Sequence, residues 1–263
     1  MKDTGKEVLV IIPAYNEEKN IAKVLDKLEQ PEIQQFADVL VMNDASSVET
    51  NWIVKERKIT LVTHVFNLGY GSALQLGYKY AIRRGYRYVI QMDADGQHDV
   101  CNVKKIYEAL ITKDAQGNKP DIVLGSRYLP QSTPFPTAFT KRVAFRLFRR
   151  MIRLGTGKVI MDPTTGLQGL SWRAMLYYSK YNHFDDRYPD SNMILQMLLL
   201  GYHVCEIPAV MHTRTEGKSM HSGVRPVIYM FRMFFGMLAV YTRIKILKLE
   251  AGGIPQHEFM EGP

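Results

Sequence analysis

The stretch 88–99, Tyr-Val-Ile-Gln-Met-Asp-Ala-Asp-Gly-Gln-His-Asp, constrains this chain more than any other, because an apolar run stops on two carboxylates one residue apart. Val89, Ile90 and Met92 suit a strand covered on both faces, as in a parallel sheet flanked by helices. Asp93 and Asp95 cannot be buried without a partner or a proton, so something cationic belongs at the end of the strand. Together with the amide of Gln97, they offer hard oxygen ligands that suit Mg2+ or Mn2+ rather than zinc. Ligand phosphates commonly complete such shells. A turn after a strand is the plain alternative for Asp95-Gly96, and the neighbouring motifs decide between the two.

The first hundred residues repeat one arrangement. The β-branched run Val8, Leu9, Val10, Ile11 and Ile12 is broken by Pro13-Ala14-Tyr15-Asn16-Glu17-Glu18, after which Ile21, Val24, Leu25 and Leu28 follow a helical period. Asn16 reads as the N-cap of that helix, with Glu17 and Glu18 at its positive end. A second apolar strand, 39–42, ends on Asn43-Asp44-Ala45-Ser46, and a third, 59–65, leads into Asn67-Leu68-Gly69-Tyr70-Gly71 and a helix through Leu76, Tyr80 and Ala81. Polar loops at successive strand ends, with helices between strands, are the βαβ pattern of a parallel sheet, which binds ligands at that edge. The Gly-x-Gly at Gly69 and Gly71 permits close backbone approach, but it lacks the third glycine and the strand position of a dinucleotide fingerprint.

These motifs, Val-Ile-Ile-Pro-Ala-Tyr-Asn-Glu-Glu, then Asn43 to Ser46, then Asn67 to Gly77, then Asp93 to His98, resemble in order and spacing the inverting family 2 glycosyltransferases of the GT-A fold. Within that family they are most similar to the dolichyl- and polyprenyl-phosphate sugar synthases, and the resemblance runs from Val8 to about Gly223. It implies an α/β fold with a Rossmann-like, mixed but mainly parallel sheet flanked by helices. It also implies that Pro13, Ala14, Tyr15 and Glu17 cradle the base and ribose of a nucleotide-sugar donor. Asp44 would hydrogen-bond the base, with Gly71 and Ala94 in the same donor site. Asp93, Asp95 and Gln97 would hold Mg2+ or Mn2+ and the donor diphosphate. The family usually reads Asp-Asp-Gly-Ser where this chain reads Asn43-Asp44-Ala45-Ser46, which leaves the base open.

In the second half a strand, 122–124, ends on Gly125-Ser126-Arg127-Tyr128, similar to the family's Gly-x-Arg, whose arginine is implied to face the donor. Residues 141–154 interleave Arg142, Arg146, Arg149, Arg150 and Arg153 with Phe145, Leu147, Phe148, Met151 and Ile152. This is a basic amphipathic helix suited to an anionic bilayer or, alternatively, a solvated face on the core. The segment 161–169 resembles the family's acceptor region, with Leu167 and Gln168 in place of Phe-Arg. Asp190, ahead of an apolar helix through 193–200 that Gly201 closes, occupies the spacing of the family's general base. It is the first candidate for deprotonating or orienting the acceptor and Asp162 the second, while capping that helix is the alternative role of Asp190. A last strand, 204–210, leads to a loop similar to the family's Arg-x-x-Gly-x-Ser, in which Arg214 and Lys218 would contact phosphate oxygens.

From 224 to 249 the chain is apolar and aromatic, and in a straight helix Arg225, Arg232 and Arg243 fall on one narrow stripe. The expected organisation is therefore a transferase domain over 1–223, an amphipathic membrane-interface or partner-docking helix over 224–250 and a disordered tail over 251–263. The chain has 263 residues, 46% of them hydrophobic, and a net charge of +8, which allows one large core and points to an anionic partner. Cys101 and Cys205 show no metal-ligand spacing, so a reducing, cytoplasmic setting without disulfides is expected. The apolar run 233–242 is only about half of the roughly 20 residues a spanning helix needs. The expectation is thus a peripheral enzyme on the inner face of a membrane that uses a nucleotide-sugar donor and a lipid-phosphate acceptor, with room for an integral membrane partner. A glycan or lipid-linked sugar hydroxyl is the alternative acceptor, and an inactive transferase-like scaffold is the rival outside enzymology. The basic helix lacks an aromatic single-strand platform or helix-turn-helix spacing, so nucleic acid is not the expected partner.

Overall fold

Leu9 and Ile11 point to one face of the first strand, Val8, Val10 and Ile12 to the other, and both sets lie in buried clusters. A strand covered on both sides has helices on both sides, and that is the architecture of the computed structural model, which describes residues 5–46, 48–57, 59–134, 139–212 and 225–249. Its strands are β1 (Val8–Ala14), β2 (Ala37–Asn43), β3 (Thr60–Thr63), β4 (Tyr88–Gln91), β5 (Ile122–Ser126), β6 (Gln168–Ser171) and β7 (Val204–Pro208). They form one seven-stranded sheet in the order β3-β2-β1-β4-β6-β5-β7. β1, β2, β3 and β4 are parallel neighbours, as are β5 and β7, whereas β6 runs antiparallel to both β4 and β5. The mixed, mainly parallel sheet expected from the sequence is present.

Parallel neighbours need crossover connections. Helices α1 (Ile21–Leu28), α2 (Pro31–Gln34), α3 (Val48–Glu56), α4 (Tyr70–Arg83) and α5 (Cys101–Ile111) provide them in the first half. In the second half come α6 (Phe139–Thr156), α7 (Trp172–Ser179), α8 (Ser191–Leu199) and α9 (Arg225–Tyr241), followed by a π-helical turn, Thr242–Ile246. One core, holding Leu40, Met42, Tyr78, Phe148 and Met197, lies under α4 and α6 to α9; the other, holding Val41, Leu25, Val103 and Ile106, lies under α1 and α5.

Two consecutive elements of the second half, β6 and α7, were hidden in the sequence. β6 carries Gly169 at its centre, a poor strand residue, but a Cβ there would overlap Ile106 of α5, so the helix packs directly on the strand backbone. α7 follows without a loop because the Ser171 hydroxyl accepts from Ala174 N at 3.3 Å and caps it. Asn16, expected to cap α1, has a left-handed φ of 53° and stands apart from the helix, whose first residue is Ile21.

The C-terminal helix is bound into the domain. Met233, Met237 and Val240 of α9 join the core shared by α6 and α8, while Ile228, Phe231, Phe235 and Leu238 are exposed. The straight stripe of arginines is interrupted by the π-helical turn, where Arg243 hydrogen-bonds Gln196 of α8, and Arg232 lies 5.2 Å from the Tyr188 ring centroid. Both charges reach back onto the domain, leaving an apolar outer face. No helix among the described residues is long and apolar enough to cross a membrane.

The start of α4 is fixed by glycine. Gly69 has φ 103°, Ser72 N donates to Asp186 O at 3.0 Å, and a Cβ on Gly71 would collide with the Asp185 carbonyl. Backbone cannot retreat as a side-chain tip can. Gly71→Ala is expected to cost about 1–3 kcal/mol of unfolding free energy, read as a lower urea midpoint; an unchanged midpoint would contradict this packing.

Candidate active site

Every parallel strand finishes at the same margin, and antiparallel β6 begins there. The loops after β1, β2, β4 and β5 and the loop before β6 therefore meet along one edge, where open α/β sheets bind ligands. At the β2 end Asp44 is buried, and its Oδ1 accepts from Leu68 N at 2.8 Å while Oδ2 accepts from Gly69 N at 2.8 Å. His64 Nδ1 lies 2.7 Å from Oδ1. The carboxylate thus fastens the loop between β3 and α4. Ser46 Oγ accepts from Asn16 N at 3.0 Å, which ties the β1 loop to the β2 loop. The Glu17 carboxylate accepts from the Asn20 amide at 3.0 Å, and Tyr15 is half exposed beside it.

At the β4 end Asp93 Oδ1 accepts from the Tyr70 hydroxyl at 2.9 Å, and His98 Nε2 lies 3.5 Å from Oδ2. Burial alone would raise the pKa of Asp93, but hydrogen bonds from His98 and Tyr70 and the charge of Arg127 outweigh it and hold this carboxyl below its ordinary value. Asp95 Oδ1 accepts from Gln97 N at 3.0 Å, forming a tight turn. Gly166 crosses so close to Asp93 that a Cβ there would overlap the carboxylate. The loop is further pinned from β7: His212 N donates to Gln97 O at 2.8 Å, and the Asn102 side chain pairs with both backbone polar groups of Val210. His212 Nε2 lies 2.7 Å from Asp99 Oδ2. Burial opposes ionisation of Asp99, yet this contact and the backbone of Cys101 lower its pKa to about 2.

At the β5 end Arg127 is clamped on Asp162. Its backbone N, Nε and Nη2 donate to the two Asp162 oxygens at 2.7–2.9 Å, and Nη2 also reaches Thr164. Behind the pair Glu206 of β7 accepts from Met161 N and Asp162 N at 2.6 and 2.7 Å. Across from it stands Asp190, whose Oδ2 accepts from the Tyr229 hydroxyl of α9 at 2.6 Å. Burial raises the pKa of Asp190 to about 6, against the pull of Tyr229 and Arg127 and with the push of Asp93 and Asp162. A cationic wall adjoins it: Arg149 lies 4.7 Å and Arg127 5.6 Å from the centroid of the Tyr128 ring, and Lys141 of α6 feels the charge of Arg127. Burial and then that charge lower the Lys141 pKa.

The edge therefore brings together Tyr15, Glu17, Asp44, Asp93, Asp95, Gln97, Arg127, Asp162 and Asp190, but it reassigns several of them. Asp162 is fully buried in its clamp with Arg127 and is not available as a base. The close approach that Gly71 permits in this structure is to the Asp185 carbonyl. Pro13 and Ala14 are buried within β1, and the Ala94 side chain belongs to the core. Asp190 sits at the cap position of α8 without a capping bond; Asn192 Oδ1 takes Asp190 N and Met193 N instead. Arg214 and Lys218 lie outside the described residues. Sequence reasoning missed Tyr70, His98, Glu206, Lys141 and Tyr229. Tyr70 and His98 lie inside the quoted motifs but carried no role there, and Glu206, Lys141 and Tyr229 are marked only by their placement under the 161–162 backbone, near Arg127 and opposite Asp190.

Comparison with known proteins agrees with this geometry. The profile of Glycosyl transferase family 2 matches residues 9–176. The undecaprenyl-phosphate mannosyltransferase of Micrococcus luteus is 30% identical over 237 residues, 82% of this chain and 88% of that protein. A dolichyl-phosphate beta-glucosyltransferase of Trichomonas vaginalis is 34% identical over 175 residues, 62% of this chain, which spans only 50% of that relative. Among solved structures, glucosyl-3-phosphoglycerate synthase from Mycobacterium tuberculosis, in complex with Mn2+, uridine-diphosphate and phosphoglyceric acid, superposes with TM-score 0.69 at 14% identity, covering 90% of this chain and 79% of that one. At that identity the likeness is one of fold. The family profile covers well over half of the chain, the Micrococcus relative spans most of it, and the edge carboxylates from Asp44 to Asp162 lie within the profile's residues, so this protein belongs to glycosyl transferase family 2.

Proposed function

We propose that this chain transfers a sugar from a nucleotide-diphosphate sugar to a polyprenyl-type lipid phosphate, with inversion at the anomeric carbon, while bound to the inner face of a membrane. The observation that carries the acceptor is the cationic wall. Lys141 lies in the field of Arg127, burial and then that charge lower its pKa, and no carboxylate among the described residues pairs with it. Arg149 Nε is buried without a hydrogen-bond partner. Such a wall suits a phosphate, and the relatives named for polyprenyl and dolichyl phosphate support that choice. A phosphomonoester is mostly ionised at neutral pH, so Asp190 has more to do in orienting the acceptor than in deprotonating it.

The donor side fits a divalent ion. Asp93 is kept ionised and partly exposed beside Asp95, and two carboxylates with the Gln97 amide oxygen form a hard donor set. Among the described residues no group of three His, Cys, Asp or Glu converges as a cage. Glucosyl-3-phosphoglycerate synthase holds Mn2+ or Mg2+ with uridine-diphosphate, and we assign the same class of ion to Asp93, Asp95 and Gln97. When bound, it neutralises the diphosphate and stabilises the leaving nucleotide. In this reading Tyr15 and Glu17 line the nucleoside, Asp44 shapes its pocket by holding the 64–69 loop, and Arg214 and Lys218 add phosphate contacts. A sugar hydroxyl is the second reading of the acceptor, favoured by the near-neutral pKa of Asp190, which suits a base.

Membrane association rests on outward faces. Helix α6 exposes Arg142, Arg146, Arg150 and Arg153 with Val143, Leu147 and Leu154, and α9 exposes Ile228, Phe231, Phe235 and Leu238. Basic and apolar groups together suit an anionic bilayer surface.

Three outcomes are expected. In a thermal-shift panel of nucleotide sugars, one class raises the midpoint only with Mn2+ or Mg2+, by the equivalent of about 2.7 kcal/mol at a hundredfold excess over Kd. Asp95→Asn abolishes that shift and Asp190→Asn keeps it; loss in both variants would refute the division of labour. Lys141→Ala raises the KM for polyprenyl phosphate at least about tenfold, the worth of one charge-assisted contact, with donor KM unchanged; an unchanged acceptor KM favours the hydroxyl reading. Phe231→Ser with Phe235→Ser lowers sedimentation with phosphatidylglycerol vesicles without lowering turnover of a short-chain, soluble acceptor; undiminished sedimentation would remove α9 from the membrane contact.

A further inference from the structure

Asp190 stands at the start of α8, yet its carboxylate does not cap that helix, because Asn192 Oδ1 accepts from Asp190 N and Met193 N, both at 3.0 Å. The Asn192 amide is itself held by Asp185 Oδ2 at 3.0 Å. The Asp190 side chain is therefore released from local duty. Its Oδ2 takes the Tyr229 hydroxyl at 2.6 Å, and among the described residues Oδ1 makes no hydrogen bond. We infer that Tyr229 of the C-terminal helix is a positioning residue of this site, holding one oxygen of Asp190 so that the other is presented to the acceptor. This rests on reading Asp190 as the carboxylate that meets the acceptor.

The setting of Tyr229 fixes its aim. Tyr229, Met233, Gly236, Met237 and Val240 recur at helical spacing and form the inward stripe of α9, with Met233 and Met237 buried. Gly236 brings α9 close to Asn192, its Cβ position 3.8 Å from Nδ2. The Tyr229 ring meets Tyr188 edge-on at 5.6 Å, and Arg232 covers the Tyr188 ring. Held between α8 and Tyr188, the phenol has little rotamer freedom, so its hydroxyl defines the carboxylate plane as well as its charge.

Among the described residues, the titratable and charged groups whose fields reach Asp190 are Tyr229 from α9, Arg127 after β5, Asp93 after β4, Asp162 before β6 and Tyr70 at the start of α4. Arg127 and Tyr229 favour the ionised carboxylate, whereas Asp93 and Asp162 oppose it. Burial and the neighbouring carboxylate raise the Tyr229 pKa well above its usual value, so the phenol stays a neutral donor throughout the working range. Removing its hydroxyl takes away the larger favourable contribution and leaves the repulsion from Asp93 and Asp162.

The test titrates the full chain with 13Cγ-labelled aspartate by NMR, without substrate, using Asp190→Asn to identify the resonance. The wild-type midpoint is expected near 6, and Tyr229→Phe should raise it by about one pH unit, the worth of one hydrogen bond to a charged group. At pH 6 the kcat of Tyr229→Phe should then fall about fivefold, as the carboxylate goes from half ionised to about one-tenth. At pH 8 the loss should largely disappear, with the donor KM unchanged throughout. If the phenylalanine variant does not fold, 3-fluorotyrosine at 229, a stronger donor, should move the midpoint in the opposite direction. An unmoved NMR midpoint, or a loss of kcat uniform with pH, overturns the inference, because a merely structural tyrosine would give the latter. A wild-type enzyme that transfers nothing to polyprenyl phosphate overturns the acceptor reading instead, since the titration needs no acceptor.

Discussion

The site is governed by an excess of negative charge at one sheet margin. Asp93, Asp95, Asp162 and Asp190 crowd the ends of three strands, and among the described residues Arg127 is the one guanidinium placed directly among them. It is committed to Asp162 through three donors, so that pair is internally neutral and its burial tolerable. What Arg127 retains is a field that helps Asp93 and Asp190 to ionise. The two carboxylates nevertheless answer differently. Asp93 has direct donors in Tyr70 and His98 that outweigh its burial, while Asp190 is pushed toward neutrality by burial first and then by two nearby carboxylates, against one neutral donor. One margin thus carries an anionic corner suited to a cation and a second corner whose charge can be tuned.

The reversed strand makes this crowding geometrically possible. If β6 ran with its neighbours, its leading loop would emerge at the far margin and Asp162 could not reach Arg127. Because β6 is antiparallel between β4 and β5, the loop 161–167 lies across the ends of both. That loop supplies Asp162 to Arg127 and backs Asp93 with Gly166. Glu206, one strand further out, holds the loop backbone from below. The Asp93 corner and the Arg127 corner are in this sense backed by two ends of one short segment.

The legible parts of the sequence were those where a local pattern carries the physics. β-branched runs ending on Asn43-Asp44 and Asp93-Ala94-Asp95 mark parallel strands and their functional margin, because a strand buried on both faces cannot end on carboxylates anywhere else. Roles that depend on distant partners were not legible. Asp162 reads as a candidate base until Arg127 is found on it, and Gly71 reads as a ligand contact until the Asp185 carbonyl fills its space. β6 was obscured because Gly169 is a weak strand residue that only the packing of Ile106 explains. The arginine stripe of the last helix failed for a similar reason: a π-helical turn at Thr242–Ile246 breaks the straight-helix arithmetic and turns Arg243 onto Gln196.

That last helix joins two requirements that a lipid-linked acceptor imposes together. A lipid phosphate cannot leave the bilayer far behind, since each methylene withdrawn into water costs about 0.8 kcal/mol, so the reacting oxygen must sit close to whatever surface meets the membrane. In α9 the two positions that this proposal needs lie two residues apart: Tyr229 turns inward to Asp190, and Phe231 turns outward to solvent. An appended anchor could bring the enzyme to a membrane, but it could not fix the height of the carboxylate above it. A helix packed on α8 through Met233 and Met237 fixes that height, because its apolar face and the Tyr229 hydroxyl move as one body.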